Sequence, residues 1–150
     1  IGSVFINSFS SVISIILPRE IIKNNKENTL NRFWFWGINI ISIVSILQLF
    51  SVGLLKYFTD NDSMLKIAKN TIYVSTIYQF TSGISHIFEG ICQGYEKFNI
   101  LAFISTLTLF LNFIIINKLN SLPNIWLFAA FTNFLKTVIL KIYLKDNNNQ

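Results

Sequence analysis

The chain is written in long apolar blocks separated by short polar ones. Five blocks cover residues 1–17, 33–55, 71–93, 100–117 and 125–144. At a rise of 1.5 Å per residue, about 20 helical residues cover a hydrocarbon layer about 30 Å thick. The blocks are close to that length, and each reads as a membrane span. They must be helices, because an open sheet would leave backbone groups unpaired in lipid. The expected fold is an all-α membrane protein, a polytopic transmembrane helix bundle of about five spans over residues 1–144. Pro18 is expected to end the first span, because its ring blocks a regular helix. Trp34, Trp36 and Tyr57 flank the second, as interfacial anchors do.

The connections are expected at 18–32, 56–70, 94–99 and 118–124. Met64, Leu65, Ile67 and Ala68 alternate with Lys66 and Lys69, which predicts a short surface helix capped by Asp60 or Asp62. The Asn-rich stretch 145–150 has no apolar content after Lys145 and is expected to be a disordered tail. Ile stands at position 1 where Met would begin a complete chain, so the sequence reads as a later piece of a longer one.

Composition supports the membrane reading. Hydrophobic residues make up 52% of 150, charged residues only 13%, and the mean hydropathy is +0.53. Soluble domains carry about 25% charged residues. The net charge of +5 comes from Lys and Arg dispersed over loops, not aligned on one face as nucleic-acid binding requires. Cys92 is the single cysteine, so no intrachain disulfide forms, and a small buried filler is the expected role.

Polar residues inside the spans are the candidate chemistry. His86 and Glu89 are three apart and share a helical face. A carboxylate within a span faces a bundle interior or a wet cavity, because lipid cannot solvate it. Glu89 is therefore a candidate proton or cation site with His86 as partner, although two ligands do not make a metal site. Lys136 lies in the middle of the last span, either snorkelling or facing inward. Gln79 and Asn112 are further candidates for a polar path, and they are equally suited to bonds between helices. Gly83, Gly90 and Gly94 fall on the third span at spacings that let another backbone approach. Nothing in the sequence argues for an enzyme.

The order of several short motifs resembles the multidrug and toxic compound extrusion (MATE) transporters. Phe58-Thr59-Asp60 is similar to a Phe-Thr-x-Asp pattern of that family. Gly90-Ile91-Cys92-Gln93-Gly94 is similar to a helix end that it writes Gly-Val-Leu-Arg-Gly-x-Gly, with Gln93 in place of Arg. Asn112 to Ile115 and Ile125-Trp126 look like its closing helices. The likeness runs from about Leu49 to Leu144 and more loosely over the first two spans. An acid that many eukaryotic members carry matches Ser82 or Thr81 here. The resemblance implies most of one six-helix repeat, the C-terminal one, of an antiporter exporting organic cations against H⁺ or Na⁺, with no cofactor. Its implied partners are membrane lipids, a small organic cation and the remaining half of the transporter. A flippase for a lipid-linked oligosaccharide shares that fold, and a non-transporting membrane subunit is the more distant alternative.

Lys and Arg in short loops set orientation. Arg19, Lys23, Lys26, Arg32, Lys97, Lys141 and Lys145 fall on one side, against Lys56, Lys66, Lys69 and Lys118 on the other, which is 7 to 4. The first side is expected in the cytoplasm. In a Cys92→Ser background, Asn61→Cys should react with an impermeant thiol reagent in intact cells and Asn25→Cys should not. Reaction at Asn25→Cys would reverse the assignment.

Overall fold

A computed structural model describes residues 2–23 and 25–147. Among them the chain forms five long helices: α1 (Gly2–Ile22), α2 (Lys26–Leu54), α3 (Asp62–Gly94), α4 (Phe98–Ile116) and α5 (Leu122–Asn147). A short 3₁₀ turn, Leu55–Tyr57, extends α2. The all-α bundle expected from the apolar blocks is present.

Helix directions follow from the side chains that meet. Gly90 lies against Ser10 and Ile13, and Gly94 against Leu17, so α1 and α3 run the same way. Gly83 meets Ile41 and Gly37 meets Ile87, so α2 opposes them. Tyr78 packs against Trp126 and Glu89 reaches Lys136, which sets α5 parallel to α3. The path is therefore up and down, with α3 at the centre. One end carries the α1–α2 and α3–α4 turns and the end of α5.

Several boundaries differ from the sequence reading. α1 continues through Pro18 to Ile22, because a proline near a helix end forfeits one hydrogen bond without stopping the last turn. α2 begins at Lys26, well before residue 33. Its polar first turns extend the apolar stretch as helix, and Glu27 there complements the helix dipole. The surface helix of the second loop is no separate element. It is the first part of α3, and the cap is Asn61, whose Oδ1 accepts from the N–H of Ser63 at 3.0 Å and Met64 at 3.3 Å. Because α3 starts at Asp62, the capping position falls on Asn61, and Asp62 adds favourable charge in the first turn. α5 begins at Leu122 and continues to Asn147, into the stretch expected as a tail. Residues 148–150 of that tail lie outside the described residues.

Four helices, α1, α2, α4 and α5, are long and apolar enough to cross a membrane. α3 spans 33 residues but is not among them. The reason is its place. It touches the other four helices, so protein rather than lipid solvates most of its surface, and polar residues are tolerated along it. Buried side chains form two groups. Ile6, Ile13, Leu17, Phe33, Ile41, Ile87 and Ile91 join α1, α2 and α3. Phe88, Cys92, Leu101, Ile104 and Leu140 join α3, α4 and α5.

The turn between α3 and α4 is tight. Glu96 adopts a left-handed conformation, φ 59°, and the Lys97 N–H bonds the Cys92 carbonyl at 2.9 Å. This is a Schellman-type close, made here without glycine.

The glycines on α3 explain the close approach of α1. A Cβ at Gly90 would stand 2.6 Å from the Ser10 carbonyl oxygen, a backbone atom that cannot rotate away. Gly53 has nothing within 4 Å of such a Cβ. Gly90→Leu should therefore lower the detergent-solubilised melting temperature and yield, as overpacking by about 1–3 kcal/mol does, while Gly53→Leu stays near the parent. Equal tolerance at both positions would mean the close approach is not needed.

Candidate functional site

The polar residues of α3 fall on one stripe. Gln79, Ser82, His86, Glu89 and Gln93 follow a three-four spacing, which keeps them on one helical face, and all five are half-buried. The glycines and the large apolar side chains occupy the other faces, where α1, α2 and α4 pack. The stripe is the part of α3 that is neither fully covered nor apolar.

Its focus is Glu89. The Lys136 ammonium of α5 lies 2.5 Å from Oε1, and His86 Nδ1 lies 2.8 Å from Oε2. Carboxylate oxygens only accept, so Nδ1 of His86 carries the donated proton. Side-chain exposures are 17% for Glu89, 10% for Lys136 and 30% for His86. Both carboxylate oxygens are thus committed, one to a fixed charge and one to a titratable ring. Snorkelling is not what Lys136 does: its stem is buried and its charge stays inside the bundle. The gain is that two costly ions in a weakly polar setting neutralise each other.

The surrounding shell is both polar and tightly filled. Ser85, one turn before Glu89 and 2% exposed, has a buried hydroxyl without a hydrogen-bond partner. Cys92, on the next turn, is fully buried among Phe88, Leu101, Ile104 and Leu140. One turn before Lys136, Thr132 donates to Asn112 Oδ1 at 3.1 Å and ties α4 to α5. Gln48 of α2 likewise donates to Ser75 of α3 at 2.7 Å.

Of the residues singled out in the sequence, Glu89, His86 and Lys136 come together. Asn112 joins the same region through Thr132 but holds helices together. Gln79 lies on the stripe, ten residues before Glu89, apart from that cluster. Gly83, Gly90 and Gly94 face α2 and α1. Sequence reading missed Gln93 and Ser82 as stripe members, although their spacing from His86 and Glu89 was the available signal. It also missed Gly37, whose Cβ would meet Ile87 at 2.5 Å; a lone glycine in an apolar run gave no pattern to notice.

A family model described as MatE matches residues 1–117. The chain belongs to the MatE family. The match takes in α1 to α4, including both early spans, and ends before the Ile125-Trp126 segment of α5. No curated protein and no solved structure matches the chain. MatE proteins are membrane transporters rather than enzymes, and with its apolar helices this chain is an integral multi-pass membrane protein. The Glu89 cluster is therefore a polar centre inside a transporter bundle.

Removing one partner of a buried ion pair leaves an uncompensated charge, at a cost of about 3–5 kcal/mol. Lys136→Met should accordingly lower thermal stability in detergent sharply. Glu89→Gln combined with Lys136→Met should recover most of the loss, since no lone charge remains. If the double variant is as unstable as Lys136→Met alone, the two side chains are not energetically coupled.

Proposed function

We propose that this MatE chain contributes one bundle of a secondary antiporter that exports organic cations in exchange for H⁺ or Na⁺. The observation that carries this reading is the Glu89 carboxylate held between Lys136 and His86 on the half-buried stripe of α3. A carboxylate in a weakly polar cavity supports one positive charge well and two poorly. Lys136 is the positive charge already present. Protonation of Glu89 releases Lys136, and an arriving cation competes with both for the same oxygens. Exchange follows from that competition, with the Lys136 ammonium keeping the carboxylate neutralised between ligands. His86 holds the second oxygen and fixes the rotamer of the carboxylate during the exchange.

Alternating access in transporters built of repeats places the substrate near the bilayer midplane between two bundles. The α3 stripe would border that interface, with the remaining half of the transporter opposite. The flippase reading needs unpaired basic groups along the path to meet phosphate. Lys136 is committed to Glu89, which favours a cation over a phosphate-bearing lipid.

In the full-length transporter, the double variant Glu89→Gln, Lys136→Met, which leaves no lone charge, should retain expression yet lose the dependence of cation efflux on an imposed pH or Na⁺ gradient. Efflux from proteoliposomes measures this directly. Unchanged gradient dependence in the double variant would show that coupling runs through another group.

A further inference from the structure

A groove lies on the side of α3 facing away from Glu89, between α2, α3 and α5. It encloses about 810 Å³ and is walled by Trp34, Ile84, Phe88, Phe134, Val138 and Leu144. One end has a different chemistry. Lys141 and Lys145 line it together with Tyr95, whose buried hydroxyl has no hydrogen-bond partner. The Lys26 ammonium stands 4.9 Å from the centre of the Tyr95 ring. Glu20, Glu27 and Glu96, acids of the same bundle end, do not line the groove, and Glu20 is paired with Lys23.

We propose that this groove holds an anionic phospholipid, with an acyl chain along the apolar wall and its phosphate between Lys141 and Lys145. The segregation of the lining selects that ligand. A free phosphate would leave the aromatic and aliphatic wall bare. An apolar helix of another protein segment would cover the wall but leave the two ammonium groups at its end without acceptors, which is costly. A choline lipid would bring a cation toward the lysines. An anionic lipid satisfies both ends at once. The basic mouth also sits at the end of the bundle that carries most of the Lys and Arg, where anionic headgroups attract basic side chains next to a span. This site is independent of the antiport reading, since no residue of the Glu89 cluster lines it.

Each lysine near an anionic surface contributes about fivefold in affinity. Native mass spectrometry of the whole chain in detergent should therefore find phosphatidylglycerol bound roughly 30-fold more tightly than phosphatidylcholine. Lys141→Gln with Lys145→Gln should abolish the preference, and Val138→Trp, which fills the groove, should weaken both lipids. Glycerol phosphate, having no acyl chain, should neither bind nor protect against thermal unfolding. Equal binding of the two lipids, or protection by glycerol phosphate equal to that by phosphatidylglycerol, would overturn the proposal. Should a variant fail to fold, phosphatidylglycerol with a photoreactive acyl chain tests the unaltered protein. Labelling is expected at Trp34 and Phe88. Labelling confined to other surfaces would mean that something else covers the groove.

Discussion

Where Gly90 lies against the carbonyl of Ser10 and Gly94 against Leu17, two helices meet almost backbone to backbone. Lipid tails are as apolar as leucine, so burying more leucine would not hold these helices together; close van der Waals contact does. Gly37 and Gly83 repeat the arrangement on the α2 side. Four missing side chains thus draw α1 and α2 onto α3 and give α3 a shell of protein. Within that shell the carboxylate on the polar stripe meets the Lys136 ammonium of α5.

The site is asymmetric in a way that suits a transporter. On the α5 side, Glu89 and Lys136 form an internal ion pair; on the open side, His86 remains the more exposed partner. Ser85 adds an unpaired hydroxyl on the covered side, so the region keeps some unused hydrogen-bonding capacity in addition to the three-residue cluster. Around it, Cys92 and its neighbours are packed without polar groups, which confines the chemistry to a few atoms.

Much of this was legible in the sequence. Apolar blocks of bilayer length gave the helices, and His86 with Glu89 could be paired from spacing alone. The partnership of Glu89 with Lys136 could not, since it joins distant segments and depends on α5 lying parallel to α3. Helix ends were less readable. Polar first turns, as at Lys26 to Arg32, look like loop in a hydropathy reading yet remain hydrogen-bonded helix in the interface. The single apolar span expected at 71–93 concealed a longer and more polar helix, because hydropathy measures what a segment is made of and not whether lipid or protein surrounds it.

The low apolarity of α3 has a consequence for how the protein is made. Chains are synthesised from the N-terminus, so α3 with Glu89 emerges ahead of α5 with Lys136. A lone charge within a span is costly until it is paired. α1 and α2, already in place and matched to the glycine faces of α3, can shelter the helix but cannot neutralise its carboxylate. Only the arrival of α5 does that. The Glu89–Lys136 pair therefore closes only once α5, the last described helix, has docked beside α3.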